Sequence, residues 1–458
     1  MRIALVNFDI FQGRTTGLYP PLHLCNLGTS LQNAAYEVRV FDYAGPFREI
    51  DGFFREIADF RPAAVGLTCY TPYVSTFHRL TVRLRDFLPQ AALIVGGAHT
   101  TVWPQWSLQK MHQFDFAMCG EADHSIVDFA DMLAGKRSET EVPGLAYRRD
   151  GEIHVNQRSL VEDLNELPQV DRSLLDRYYQ QGCYWDMASR GSIDMMITSR
   201  GCPYACAFCF KLERRYRYRG VDHLMVEFED LRRRGVRAIH IQDDAFTANR
   251  KRCLTIAQEL IKGRYNLHLK VRSRVNNVDA ELLELLKSAG VRQIIYGFES
   301  GSEEVLNSMN KRTTVEMNER AVELTRRAGI TCYGEIMVGM PGETPETIRA
   351  TTEFLLKCKP IIGHIPVLYP LPGTKVYEDA KANGTLQGDW SIDGPSPWVK
   401  LPWTETREEL VQEARRISQR VQLSPGYLLY FLRHHIPLMT GRQFLFLGRH
   451  AFTLLRRS

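Results

Sequence analysis

Three cysteines, Cys202, Cys206 and Cys209, fall within eight residues in the run Gly201-Cys202-Pro203-Tyr204-Ala205-Cys206-Ala207-Phe208-Cys209. Thiolates at C-x-x-x-C-x-x-C spacing on one tight loop suit metal ligation by type and by density. As ordinary loop cysteines they would form a crowded, oxidisable group near solvent. Structural zinc usually completes four ligands, commonly as two C-x-x-C pairs, and this sequence has no second pair and no C-x-x-C…H-x-x-x-H partner. Soft thiolates otherwise select iron–sulfur clusters, and a [4Fe–4S] cube on three of them leaves one iron open to a substrate or cofactor. The other seven cysteines, Cys25, Cys69, Cys119, Cys183, Cys253, Cys332 and Cys358, are scattered and read as small buried hydrophobes. Ten in a chain this long do not make a disulfide scaffold.

The cysteine loop follows an apolar strand pattern, Met195–Ser199, that opens a series. Further strands are expected at Ala238–Gln242, Leu267–Val271, Gln293–Gly297, Tyr333–Gly339 and Ile361–Tyr369. Helical periodicity fills the gaps near 221–234, 250–262, 279–289, 315–328 and 345–357, with Asp279 as a cap and Gly290 as a stop. Six βα units suggest a partial (βα)6 barrel over 191–375, whose chemistry belongs at the carboxyl ends of its strands. Those ends carry Gln242, Asp243, Asp244, Arg272, Arg274, Glu299, Glu335 and His364. Asp243, Asp244 and Glu335 are the candidates for acid–base work there.

Residues 1–140 also alternate strand and helix: strands at 3–6, 38–41, 64–67, 93–95 and 116–118, with helices around 24–35, 49–60 and 74–88. That alternation implies a doubly wound, Rossmann-like parallel sheet. Its ligand end comprises Asp9 to His23, Thr68-Cys69-Tyr70-Thr71-Pro72, Gly96-Gly97-Ala98-His99-Thr100 and Gly120-Glu121. No G-x-G-x-x-G opens the first helix, so no dinucleotide is indicated. Residues 141–190 lack a sustained period and read as a linker carrying a hairpin that turns at Asp150-Gly151. Residues 376–458 read as a helical cap, its Leu423 to Arg457 tail mixing aromatic and basic residues, with a membrane-surface helix as the alternative.

The 458 residues are 44% hydrophobic and 24% charged, an ordinary globular balance that excludes disordered and low-complexity classes. A net charge of 58 − 53 = +5 neither requires nor excludes a basic stripe, and no nucleic-acid partner is expected. No run of eighteen apolar residues forces a membrane span. The first residues read as a buried strand rather than a signal peptide, so a cytoplasmic location is expected.

The run Ser199-Arg200-Gly201-Cys202 through Cys209 resembles the signature of the radical S-adenosylmethionine (SAM) superfamily. The resemblance covers roughly 190–375. It implies that SAM chelates the open iron, that an electron from the cluster cleaves it, and that a 5′-deoxyadenosyl radical abstracts hydrogen from a small-molecule substrate. It also implies an external electron donor of flavodoxin or ferredoxin type. On the same resemblance Phe208 packs beside adenine, and Gln242 lies where the family contacts the methionine ammonium, although the usual Gly-Gly-Glu is replaced. Arg272 and Arg274 pair with the SAM carboxylate. Glu299, with Ser300 beside it, contacts ribose or methionine. Gly339 and Met340, in Ile336-Met337-Val338-Gly339-Met340-Pro341-Gly342-Glu343, flank adenine.

The order of elements in residues 1–140, with Thr68 and then Gly96-Gly97-Ala98-His99, is similar to the cobalamin-binding domain that precedes many such barrels. Thr68, Gly96, Gly97 and His99 are then candidate corrin contacts. The Asp-x-His-x-x-Gly motif that supplies a cobalt ligand elsewhere is absent, and His99 is either a ligand or a loop hydrogen bonder. The resemblance favours cobalamin-dependent C-methylation in a biosynthetic pathway. Radical dehydration, dehydrogenation or cyclisation, with a cobalamin-type domain unused or empty, is the alternative. A non-catalytic Fe–S or corrin carrier is disfavoured by the retained SAM segments.

Overall fold

The computed structural model describes residues 1–8, 17–43, 49–186 and 192–434. Much of the loop expected from Asp9 to His23, and the tail beyond His434 for which a cap or a membrane-surface helix was expected, lie outside the described residues. Two compact units result: Met1–Tyr184 with Trp390–Ser396, and Trp185–Asp389 with the chain from Pro397 onward.

In the first unit, Ile3, Ala4, Leu5 and Val6 are all buried, as a central strand covered on both faces requires. They belong to β1 (Arg2–Phe8), which pairs in parallel with β2 (Glu37–Tyr43) and β3 (Ala64–Thr68). Beyond β3 follow β4 (Ala92–Gly96) and β5 (Phe116–Met118), also parallel. The order β2-β1-β3-β4-β5 reverses its winding between β1 and β3, the switch point of a doubly wound sheet. The stretch read as a linker folds differently. Its hairpin, β6 (Leu145–Arg149) and β7 (Glu152–Val155), pairs antiparallel onto β5 and completes a seven-stranded sheet. Buried Leu145, Ala146 and Tyr147 supply the apolar face. Asp150 at φ 52° and Gly151 at φ 81° supply the paired positive dihedrals of a tight hairpin turn.

In the second unit, β8 (Ile193–Met196), β9 (Ala238–Ile241), β10 (His268–Ser273), β11 (Val291–Glu299), β12 (Thr331–Ile336) and β13 (Ile361–Ile362) pair in chain order, all parallel. Helices Val221–Arg233, Arg250–Lys262, Ala280–Ser288, Val315–Arg327 and Pro345–Cys358 fill the crossovers, the arrangement of a partial barrel. Asp279 caps its helix by accepting from the Leu282 amide at 2.8 Å. The last strand is much shorter than Ile361–Tyr369: Gly363 and Pro366 break the ladder, and pairing resumes only as the bridge Val338–Val367.

Alternation along β10 and β12 sorts the two faces of this sheet. Leu269, Val271, Cys332 and Ile336 are buried in the core shared with the helices. Lys270, Arg272, Tyr333 and Glu335 point to the other face and are only half-buried. Barrel interiors are ordinarily packed with branched apolar side chains, so this polar face is set aside for something other than core.

The region after 375 includes helices Lys375–Ala382, Arg407–Gln422 and Pro425–His434. It also contains an antiparallel pair, Leu386–Gln387 with Trp398–Val399, so it is not wholly helical as expected. Among the described residues no helix is long and apolar enough to cross a membrane.

Candidate active site

The cysteine loop leaves the sheet just after β8 and is held at its base by a carboxylate. Asp243 is fully buried and accepts hydrogen bonds from the Thr198 amide (2.6 Å) and hydroxyl (2.5 Å) and from the Ser199 amide (3.0 Å) and hydroxyl (2.6 Å). Burial pushes this carboxyl upward, while Arg252 and those donors oppose the shift. Ser199–Arg200 then pairs antiparallel with Arg217–Tyr218, which closes the neck of the loop. Gly201 at φ 83° sits where a Cβ would strike the Arg215 carbonyl. The far side is tied down as well: the Ala207 amide donates to the Met309 carbonyl (2.8 Å), and the Asn310 side chain donates to the Ala205 carbonyl (2.8 Å).

Within this frame Cys202 is buried, and Cys206 and Cys209 are half-buried. Burial raises the Cys209 thiol; Lys211 opposes that, and Cys206, Asp244 and Cys202 add to it. Lys211 is ion-paired to Asp244 at 2.7 Å. Arg274, buried behind the loop, donates to Cys206 Sγ at 3.4 Å. Three soft donors flanked by cations fit an anionic thiolate-bound cluster.

Around this loop the rim residues separate into two groups. Asp243 is corrected from an acid–base candidate to the anchor of the loop, because both its oxygens are committed twice over. Ser300 is likewise buried and committed: its hydroxyl meets the Thr351 hydroxyl at 3.0 Å and accepts from the Ser302 amide at 3.1 Å. The other group faces outward from the strand ends. Arg272 forms a two-pronged pair with Glu335 (2.6 and 3.2 Å), and both side chains remain more than one third exposed. Asp244 is exposed, and Gln242 is half-buried, its backbone N–H donating to the Met196 carbonyl at 2.8 Å.

Glu299 ends β11 in the left-handed region at φ 65°, and its carboxylate accepts from Lys311 at 2.7 Å with both residues buried. The pair lies over Gly297, where a Cβ would push against the Glu299 carboxylate and shift it. The Lys311 ammonium lies 5.9 Å from the Phe208 ring centroid. Phe208 packs against a cluster containing Met340, Ala207, Val305 and Met309. Gly339, at φ 93°, donates its amide to buried Glu343 at 2.6 Å.

Lys311 and Glu343 were missed as participants. Lys311 lies on a connection between helices and carries no linear signal. Glu343 closes a motif that was quoted, and its value as a lone acidic residue in an apolar run could have been read from the sequence. His240 on β9 is also buried, its imidazole pulled down by desolvation and by Lys270 and Arg272.

In the first unit, Thr68 ends β3, Gly96 ends β4, and Gly97 follows it. A Cβ on Gly96 would find its nearest atom at 3.8 Å, whereas on Gly97, at φ 98°, it would lie 2.7 Å from the Cys69 carbonyl oxygen. A side chain could thus be accommodated at Gly96 in ordinary contact with Met118 and Leu67, whereas the turn requires glycine at 97. His99 is buried, with Nδ1 3.2 Å from the Thr71 hydroxyl and its ring edge-on to Trp106 at 4.9 Å. Burial pulls its imidazole down to about 4, so it is neutral near pH 7. The loop hydrogen bond is thus present.

Residues 196–355 match the Radical SAM superfamily model, and residues 11–130 match the B12 binding domain model. An uncharacterized methyltransferase of Pyrococcus horikoshii is 27% identical over 433 residues, 92% of this chain and 91% of that protein. The anaerobic magnesium-protoporphyrin IX monomethyl ester cyclase of Cereibacter sphaeroides is 25% identical, over 99% of this chain and 78% of that protein. Among solved structures, the radical SAM methyltransferase TsrM from Kitasatospora setae, with cobalamin and a [4Fe–4S] cluster bound, superposes with a TM-score of 0.73 at 19% identity. That alignment covers 93% of this chain and 89% of the other.

Proposed function

The chain belongs to the radical SAM superfamily and carries a B12-binding domain ahead of its barrel, and from that premise we propose that it catalyses cobalamin-dependent C-methylation of a small molecule. The observation that carries this reading is the thiolate loop at the carboxyl end of β8, in a chain whose first sheet is doubly wound and ends β4 in a glycine turn. When bound, a [4Fe–4S] cluster, SAM and cobalamin would supply the electron, the hydrogen-abstracting radical and the methyl group.

Cys202, Cys206 and Cys209 would hold the cluster. Phe208 and Met340 would form the apolar walls beside adenine, with Gly339 fixed behind Met340 by Glu343. Glu299, clamped by Lys311, would present its other oxygen to ribose or methionine, and Gln242 would offer its side-chain amide to the methionine end. Thr68, Gly96 and Gly97 would let a corrin approach the backbone, with His99 bracing Thr71 beside it. Arg272 and Glu335, half-exposed on the polar face and paired with each other, would orient the substrate. Asp244, beside Lys211, keeps charge balance near the cysteines. Fixing the reacting groups supplies much of the rate in such chemistry. An external flavodoxin- or ferredoxin-type donor would deliver electrons.

Protein purified without oxygen from cobalamin-fed cells should carry a corrin absorption band. With substrate it should consume SAM to give both S-adenosylhomocysteine and 5′-deoxyadenosine. A second reading, ring formation without methyl transfer, is favoured by the similarity to the cyclase along nearly the whole chain. It would be recognised by 5′-deoxyadenosine alone.

A further inference from the structure

Besides Lys211, which is paired with Asp244, three cations crowd the strand ends around the cysteine loop, and they are not compensated alike. Arg272 has Glu335, and Lys311 has Glu299. Arg274 is 7% exposed and has no carboxylate among the described residues. Its guanidinium contacts Cys206 Sγ at 3.4 Å, the Lys311 carbonyl oxygen and Asn276 Oδ1 at 3.4 Å. The carbon of that guanidinium lies 3.9 Å from the Tyr204 ring centroid, and the Tyr204 hydroxyl is fixed by donating to Asn277 at 2.7 Å. A buried guanidinium without a negative partner is costly. The one contact that can carry negative charge is the sulfur of Cys206.

We propose that Arg274 is the resident counter-ion of the iron–sulfur cluster and raises its reduction potential. A cube on three thiolates is net negative and becomes more so on accepting an electron, so a fixed buried cation hydrogen-bonded to a ligand sulfur favours the reduced form. Net charge and hydrogen bonds to the sulfurs are the terms that set such potentials. This reassigns Arg274 from the SAM carboxylate, the partner expected from sequence. The inference rests on the reading that Cys202, Cys206 and Cys209 hold the cluster.

The test is a redox titration, followed by electron paramagnetic resonance, of the reconstituted full-length protein without SAM. Wild type, Arg274→Gln and Arg274→Lys are compared, and SAM binding is measured separately. Arg274→Gln should weaken the reduction equilibrium about tenfold, a potential lower by about 59 mV for one electron. Arg274→Lys, which keeps the charge and loses the planar fork, should fall between. A Gln variant with wild-type potential overturns the proposal, and weaker SAM binding alongside it returns Arg274 to the carboxylate. If Gln prevents loading, a Lys variant with a potential equal to or above wild type overturns it instead. Wild-type protein that takes up no cluster refutes the functional reading rather than this one.

Discussion

Replacing Glu343 by Gln should stabilise the protein at alkaline pH, and the structure fixes how much. Glu343 is 2% exposed, and one carboxylate oxygen accepts the Gly339 amide at 2.6 Å. Burial raises its carboxyl from 4.5 to about 7, against the opposing pull of that hydrogen bond. Below pH 4.5 the carboxyl is protonated in both folded and unfolded chains. Between about 4.5 and 7 only the unfolded chain loses its proton, so stability falls as pH rises and levels off above the folded value. At about 1.4 kcal/mol per pH unit, the loss is about 3 kcal/mol. Gln has nearly the same shape, accepts the same amide and never ionises. Urea unfolding of the apo-protein should show Glu343→Gln matching wild type near pH 4.5 and exceeding it at pH 8 by up to about 3 kcal/mol. A variant less stable than wild type at pH 8 would refute the reasoning, because it would mean that an ionised Glu343 stabilises the Gly339 turn.

Asp243→Ala orphans two buried amides, Thr198 and Ser199, at about 1–3 kcal/mol each, so thermal stability and iron loading should fall together; retention of full iron content would contradict the anchoring role. Gly97→Ala forces a Cβ against the Cys69 carbonyl at positive φ, at a cost of at least about 1–2 kcal/mol, and should lower both the melting temperature and corrin retention in copurification. Glu335→Gln unclamps a partly exposed pair, so stability should change by under about 1 kcal/mol while substrate-dependent SAM turnover falls in a product assay. Equal turnover would remove Glu335 from the substrate face.

Much of the fold was legible because periodicity speaks directly of burial. The run Ile3–Val6 and the alternation of half-buried and buried residues along β12 are visible as letters. The edge hairpin was read correctly as a turn but assigned to a linker, since a two-stranded unit does not announce which sheet it joins. The short last strand was over-extended because the apolar letters from Ile361 to Tyr369 continue through Gly363 and Pro366. The cysteine loop was legible as three thiols brought together after a strand, because their spacing within eight residues is visible as letters. The rim was legible only as a set of polar letters. Whether a carboxylate stays on a half-exposed face, as Glu335 does with Arg272, or ties down a loop, as Asp243 does with Thr198 and Ser199, depends on partners that lie 44 to 63 residues away along the chain. Lys311 and Arg274 gain their meaning only from what they touch in three dimensions.

Iron and acid-labile sulfide, determined with the visible spectrum after anaerobic reconstitution, test the central assignment most directly. The account predicts about four irons and four sulfides per chain, all lost when Cys202, Cys206 and Cys209 are replaced together by Ala. A folded wild-type protein that binds no iron, or a triple variant that keeps it, would contradict the account.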